Sequence, residues 1–333
     1  MHHHIVGLEE IHTPYPTPSF PHPYTQTNHH TTSPSELRSR IADATILIAT
    51  TVKLTADILR PSVTPRLRHI AVMASGTDHV DLTAAQARGI RVTNTPGVMM
   101  EAVAEHAVGL YFAARRRIVR TMDLSVGRAT EWKTRESVAG RMHMADGGAP
   151  LTCREEVVGV VGWGKIGREI GRLMSALGMR VVVAGRKGAT GGEVGEGRVE
   201  FEEVLRTCTV VVLVVPRKKE TTGLIGEREL GMMRKEAVIV NVARGGIVDE
   251  EAMVKALRDG TISGYATDVF RVEPADEEDT PILSEEIIRN EGLNITATPH
   301  VAWYGDSTQK NLNRVLKENI EKWVRGEDQN IIV

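Results

Sequence analysis

The sequence predicts an α/β protein built as two doubly wound lobes, each a parallel sheet with helices on its faces. Three observations carry this. Short β-branched runs alternate with segments whose apolar residues recur at helical spacing, the order that gives parallel sheets with covered faces. The alternation breaks across a polar, glycine-containing stretch, 127–152, and begins again at Val157. A glycine-rich turn then follows the first strand of the second series and opens a helix. At 333 residues the chain is long enough for two domains of ordinary size.

Taken in order, His2 to His4 lead straight into Ile5-Val6-Gly7-Leu8, which reads as the start of a first strand rather than as a metal-binding tract. Residues 12–34 are rich in Pro, Thr and His and read as a long surface connection able to shape a pocket. A helix is expected over 34–42, strands over 45–49 and 69–74, a helix over 82–88, a strand over 90–93 and a longer helix over 101–116. In the second series Val157, Val158, Val160 and Val161 make a buried strand, and Ile166, Ile170, Leu173, Met174 and Leu177 fall at helical spacing. A second β-branched run starts at Arg180, and further strands are expected over 210–215, 238–242, 264–267 and 294–298, with a glycine-rich loop at 188–197. The last segment, 307–325, is amphipathic: Leu312, Val315, Leu316, Ile320 and Val324 form one stripe, suited to packing back on the first lobe. The expected boundaries are 1–100 with 300–333 for one lobe and 101–299 for the other, with ligands bound in a cleft between them.

Composition excludes several function classes. The net charge is −2, which does not suit a general nucleic-acid binder or a polybasic membrane partner. Two cysteines, Cys153 and Cys208, give no disulfide framework, and Cys208, beside the apolar run 210–215, reads as a small buried hydrophobe. No run of about eighteen apolar residues and no signal-peptide pattern is present, so a soluble cytoplasmic protein is the expectation.

The glycine-rich turn is Gly162-x-Gly164-x-x-Gly167. In a chain with this many glycines the bare spacing is weak, and the strand before it and the helix after it give it force. In that setting Gly162 permits the tight turn, Gly164 lets a pyrophosphate approach the backbone, and Gly167 allows the helix to pack closely on the strand. The pyrophosphate would sit on the helix N-terminus, against free N–H groups and the positive dipole end. The next strand ends in Gly185-Arg186-Lys187, where an NAD site usually presents an acid to the ribose hydroxyls. An arginine and a lysine suit a 2′-phosphate instead, so the expected cofactor is NADP(H) in preference to NAD(H).

Three segments at later strand ends carry chemistry. Asn241-Val-Ala-Arg244-Gly-Gly places a guanidinium fork for a carboxylate beside small residues, although an arginine after a strand can simply be a surface group. Asp268-Val-Phe-Arg-Val-Glu273-Pro274 puts two acids after a strand, which alone would read as solvated loop acids. Thr298-Pro-His300-Val-Ala-Trp303-Tyr304 fixes a histidine after a proline at a buried strand end, a good position for an acid–base group in a redox protein.

Together these segments resemble the D-isomer-specific 2-hydroxyacid dehydrogenase family, whose catalytic arginine, glutamate and histidine occur in this order on similar strings. The resemblance covers nearly the whole chain and extends to Ala74-Ser-Gly-Thr-Asp-His-Val-Asp81, Thr95-Pro-Gly97 and Val103-Ala-Glu-His106. It implies a flavodoxin-like substrate domain beside a Rossmann dinucleotide domain, and a glyoxylate/hydroxypyruvate reductase-like activity on 2-keto acids and D-2-hydroxy acids. Arg244 would bind the substrate carboxylate and polarise the keto oxygen, with backbone donors from Ser75, Gly76 and Thr77. His300 would be the general acid in reduction and the base in oxidation, and Glu273 would fix its tautomer and tune it. Asp268 would hold the nicotinamide carboxamide. Val103, Gly162, Gly164, Lys165, Ile166, Gly167, Gly185, Arg186, Lys187, Val215, Pro216, Ala243, Asp268 and His300 would line the cofactor site. A homodimer through the cofactor lobes is implied as well, and no metal.

The chain also departs from the family pattern. Arg217-Lys218-Lys219 stands where a Leu-Thr-Pro-like run is usual, either as a solvated turn or as added charge for cofactor phosphates. Cys153-Arg-Glu-Glu156 replaces a Gly-Lys approach and is expected to be neutral, and Glu236 replaces a turn glycine. An alternative function is a dinucleotide-sensing co-repressor-like interaction module of the same fold, for which no extended tail or partner-binding segment is evident. Formate dehydrogenase is disfavoured because its histidine partner is usually a glutamine. Met99, Met100, Trp303 and Tyr304 could line a pocket for a bulky side chain or serve as core and lid residues, and the sequence leaves both open.

Overall fold

The structure is a computed structural model that describes residues 2–127 and 129–333. The chain divides into two compact units, Met1–Met99 with Tyr304–Val333, and Met100–Trp303.

In the first unit β1 (His3–Gly7), β2 (Tyr24–Asn28), β3 (Ile46–Ala49), β4 (His69–Val72) and β5 (Arg91–Thr93) form one sheet in the order β2-β1-β3-β4-β5. Every pairing is parallel. β3 is apolar and buried at all its positions, the pattern of a strand covered on both faces. The helix α1 (Pro34–Ile41) starts at Ser33, with Pro34 in its first turn and Glu36 closing a capping box. The helix α2 (Leu82–Ala87) is capped by Asp81, which accepts the Ala84 N–H at 2.9 Å.

β2 lies inside the stretch expected as a surface connection. Its sequence, Tyr-Thr-Gln-Thr-Asn, has no apolar alternation, and its side chains are only half buried or exposed. Parallel pairing with β1, from His3 opposite Tyr24 to Gly7 opposite Asn28, supplies what the side chains lack. Upstream, the Tyr15 ring lies against Gly7, where a Cβ would fall 2.3 Å from it, and its hydroxyl accepts the Glu9 N–H at 2.9 Å.

Glu9, only 5% exposed, anchors the loop after β3. One carboxylate oxygen accepts the N–H groups of Thr50, Thr51 and Val52 at 2.8, 2.8 and 3.0 Å, and the other accepts the Thr51 hydroxyl. Burial pushes its pKa up, but hydrogen bonds from His12, Thr51 and Val52 outweigh this and hold it at about 2. A folded-state pKa below the unfolded one stabilises the fold at higher pH, and this contribution is lost as pH falls from about 4.5 towards 2. It amounts to roughly 3 kcal/mol. Acid titrations of folding stability should therefore show the gap between wild type and Glu9→Gln closing across that window; a constant gap would contradict the assignment.

The C-terminal helix α10 (Asp306–Val324) belongs to this unit, and its Leu312, Val315, Leu316 and Ile320 are buried. Trp323 stacks on the buried His69 at 4.8 Å, and His69 Nε2 pairs with the Thr93 hydroxyl at 2.9 Å. Burial holds His69 down at about 3, so the ring stays neutral in this seat.

The second unit holds β6 (Val157–Val161), β7 (Arg180–Val183), β8 (Val210–Leu213), β9 (Val238–Asn241), β10 (Gly264–Thr267) and β11 (Ile295–Ala297). They form a sheet in the order β11-β10-β9-β8-β6-β7, again parallel throughout. Its helices are α3 (Met100–Arg115), α4 (Ile118–Met122), α5 (Ala129–Arg135), α6 (Lys165–Ala176), α7 (Phe201–Thr207), α8 (Glu227–Leu230) and α9 (Glu250–Arg258). The polar stretch 127–152 is thus partly helical. Its residue 128 lies outside the described residues. The core gathers Phe201, Val204, Val211, Ile239, Met253 and Tyr265, and Cys208 is buried within it, its thiol pushed up to about 11 by burial.

One expectation is corrected here. The Cys153-Arg-Glu-Glu156 approach is not neutral, because Glu156 and Arg115 form an ion pair fully out of solvent, 2.5 Å apart. Tyr111 and Thr209 donate to the same carboxylate, and Arg115 also donates to the carbonyls of Thr209 and Glu236. These contacts tie the end of α3 to the starts of β6, β8 and β9. Either charge left alone there would be costly, so the two residues are required together.

Candidate active site

Apart from Val103, the candidate groups of the second unit follow the C-terminal ends of strands in one parallel sheet, which places their loops along a single edge. The chain moves from β6 to β7 on one side and to β8 on the other, so the strand order reverses at β6, where ligands of such sheets bind.

The glycine turn sits at that point. Gly162 has φ 107°, a conformation costly for any side chain. A Cβ on Gly167 would fall 2.0 Å from the Gly162 carbonyl oxygen, so only glycine lets α6 approach β6 this closely. A Cβ on Gly164 would meet nothing within 4 Å. Gly164 therefore faces open space immediately before Lys165 and Ile166, the first residues of α6, and this arrangement fits a dinucleotide pyrophosphate. Val103, on α3, is buried.

After β7 the two basic residues have different surroundings. Lys187 Nζ donates to the Leu224 carbonyl at 2.9 Å and pairs with Glu229 at 3.0 Å. The exposed guanidinium of Arg186 has no hydrogen bond or ion pair among the described residues. Gly185 packs on Val194, where a Cβ would come within 2.8 Å. After β8, beyond Val215 and Pro216, Arg217 reaches back to the Gly245 carbonyl at 3.4 Å.

After β9, Asn241 shapes the turn that carries Arg244: its side chain accepts the Ala243 N–H at 3.1 Å and donates to the Arg244 carbonyl at 3.2 Å. Arg244 is half-buried, with Nη1 donating to the Ala243 carbonyl at 2.8 Å.

The loops after β10 and β11 meet. Asp268 is 1% exposed. One oxygen accepts the Thr298 hydroxyl at 2.6 Å and the Val301 N–H at 2.9 Å, and the other accepts the Ala302 N–H at 2.9 Å. His106, on α3, reaches the same Thr298 hydroxyl at 2.9 Å. The Asp268 carboxylate thus holds the loop carrying His300, a structural use that the sequence did not reveal. His300 has φ 54°, which costs a non-glycine residue roughly 1–3 kcal/mol, and the Asp268 bonds on both following residues hold it there.

His300 Nδ1 lies 2.6 Å from Glu273 Oε2, and Glu273 Oε1 accepts the Phe270 N–H at 2.8 Å. An ionised carboxylate only accepts, so Nδ1 carries the hydrogen and Nε2 is left to face a ligand. The imidazole is 44% exposed, accessible to a small molecule. The Trp303 indole donates to the His300 carbonyl at 3.0 Å, while Tyr304 is 62% exposed and Met99 and Met100 are half-buried.

In the first unit the loop 74–80 is rigidly tied. Ser75 Oγ donates to the Thr95 carbonyl at 3.2 Å, Asn94 donates to the Ser75 carbonyl at 2.8 Å, and Leu54 N–H donates to the His79 carbonyl at 2.8 Å. The backbone N–H groups of Ser75, Gly76 and Thr77 have no acceptor among the described residues, the state of a loop able to take an anion.

Residues 108–302 match the model of the D-isomer specific 2-hydroxyacid dehydrogenase NAD binding domain. The chain is 36% identical to a glycerate dehydrogenase of Methylorubrum extorquens over 94% of this chain and 93% of that one. It is 34% identical to a glyoxylate reductase of Thermococcus litoralis, over 86% of this chain and 82% of that one. The crystal structure of an NADPH-dependent glyoxylate/hydroxypyruvate reductase from Sinorhizobium meliloti, in complex with NADP and malonate, superposes with a TM-score of 0.77 at 26% identity, covering 99% of this chain and 97% of that one. A strand-end site of this make-up and relatives aligned over nearly their full length agree: the chain belongs to the D-isomer-specific 2-hydroxyacid dehydrogenase family and is an NAD(P)-dependent enzyme of it.

Proposed function

We propose that the enzyme reduces small 2-keto acids of the glyoxylate and hydroxypyruvate kind, and oxidises the matching D-2-hydroxy acids, with NADP(H) preferred over NAD(H). The observation that carries this is the His300–Glu273 pair, 2.6 Å apart on loops at the same sheet edge as the Gly162 turn. When bound, the nicotinamide supplies the hydride. Arg244 binds the substrate carboxylate through its planar fork and polarises the keto oxygen, and the N–H groups of Ser75, Gly76 and Thr77 add donors to the carboxylate. His300 Nε2 gives its proton to the keto oxygen as that oxygen gains charge, and Glu273 keeps the ring in the tautomer and orientation this requires. In oxidation His300 takes the hydroxyl proton back. Asp268 would hold the nicotinamide carboxamide, and its hydrogen bonds to Thr298, Val301 and Ala302 also tie down the loop that carries His300.

The NADP preference rests on Arg186. With Lys187 engaged by Glu229, the 2′-phosphate contact falls to the Arg186 guanidinium. Arg186→Ala should raise KM for NADPH by about tenfold, as expected for one charge-assisted hydrogen bond, and leave KM for NADH nearly unchanged. Equal effects on the two cofactors would remove the phosphate contact. A homodimer is part of the same proposal, supported by the apolar side chains of Met122, Val126 and Trp132, which are 61%, 80% and 54% exposed. A cytoplasmic location is proposed as well; among the described residues no helix is long and apolar enough to cross a membrane. A rate survey of 2-keto acids of graded side-chain size, with NADPH and NADH, tests the substrate class; turnover confined to substrates lacking a 2-keto acid group would overturn it.

A further inference from the structure

Glu250 opens α9, and at 4% exposure both its carboxylate oxygens must find partners inside the protein. One accepts the Arg271 N–H at 2.8 Å, and the other accepts the Thr280 hydroxyl at 2.5 Å. These partners lie on either side of Glu273 along the chain. The Arg271 guanidinium is turned elsewhere, to Glu251 at 3.1 Å, so Glu250 holds Arg271 by its backbone alone. Its charge sits at a helix N-terminus, where the dipole favours it.

The N–H just before that of Arg271 belongs to Phe270, and it donates to Glu273 at 2.8 Å. Two consecutive N–H groups are thus taken by two carboxylates. The peptide joining Phe270 to Arg271 is also fixed from another side. A Cβ on Gly245 would fall 1.6 Å from the Phe270 carbonyl oxygen and 2.6 Å from the Arg271 nitrogen, so the peptide is seated directly on the glycine that follows Arg244.

We propose that Glu250 is a positioning residue for the reaction: it clamps the Phe270–Arg271 peptide against Gly245 and thereby holds Glu273, and through it His300, in register with Arg244. This rests on the assignment of Arg244, Glu273 and His300 made above. Glu250 touches neither the glycine turn nor Arg186, so the clamp is expected to act on the rate of proton transfer more than on cofactor affinity.

The test compares three variants with glyoxylate and NADPH. Glu250→Asp keeps the charge on α9 but withdraws it by one methylene, so that it cannot span Arg271 and Thr280 together. Glu250→Ala removes the clamp, and Glu250→Gln restores its length and an acceptor for the Arg271 N–H. We expect kcat to fall by roughly 10- to 100-fold in Glu250→Asp and Glu250→Ala, the scale of a small misplacement of catalytic groups. KM for NADPH should stay near wild type, and Glu250→Gln should recover most of kcat. Should Glu250→Ala fail to fold, Glu250→Asp decides. Wild-type kcat in folded Glu250→Asp overturns the inference, and so does a loss in all three variants that follows melting temperature and cofactor KM together. His300→Ala, assayed alongside, separates the two levels: if it is inactive while Glu250→Asp is unimpaired, only the clamp fails, whereas an active His300→Ala removes the catalytic assignment beneath it.

Discussion

His300→Ala should lower kcat for glyoxylate reduction by a factor of roughly 100 to 10,000, the range a positioned general acid contributes. On the proposed assignment, the substitution removes the imidazole that Glu273 holds at 2.6 Å, and with it the proton for the keto oxygen. Arg244 and the Gly162 turn keep their own supports, the first from Asn241 and the second from the packing of α6 on β6. KM for NADPH should therefore change little, and the loss should appear in kcat. Steady-state kinetics with saturating NADPH read this directly. Retention of more than about a tenth of wild-type kcat would mean that another group supplies the proton.

Arg244→Ala should lower kcat/KM for the keto acid by roughly 100- to 1,000-fold, the scale of removing a preorganised donor from a developing oxyanion. Two effects combine. In the proposed role, the substrate would lose a bidentate anchor for its carboxylate, raising KM, and the keto oxygen would lose the positive charge that polarises it, lowering kcat. Arg244→Lys should recover little, because a single ammonium cannot reproduce the fork. Kinetics that vary keto acid and cofactor separately should place the loss on the keto acid; a loss on the cofactor alone would reassign Arg244.

The sequence was most legible where one physical requirement dominates. Strands buried on both faces, such as β3, β8 and β9, are continuous apolar runs, and nothing else suits so short a length of such residues. Gly162, Gly164 and Gly167 were separable by role because turn, open approach and close packing are distinct demands, and the structure gives each glycine the matching surroundings. β2 was not legible, because an edge strand is made by backbone pairing with β1 and leaves no apolar signature. The partners of Lys187 were hidden for a related reason: Glu229 lies on α8, far along the chain, and only folding brings the two charges to 3.0 Å. Nothing near Glu156 in the sequence points to Arg115, which α3 brings to it from 41 residues away. Asp268, Thr298, His106 and Glu250 carry supporting roles that depend on which loops meet, and their residue types are ordinary on any surface. The order of Arg244, Glu273 and His300 could be read in advance; the carboxylates that hold their loops could not.

The most direct measurement is the product formed from hydroxypyruvate with NADPH by the wild-type enzyme, followed by cofactor oxidation and chiral analysis together. The expected product is D-glycerate in one-to-one proportion to NADPH consumed. Formation of L-glycerate, or no NADPH consumption with any 2-keto acid, would contradict it.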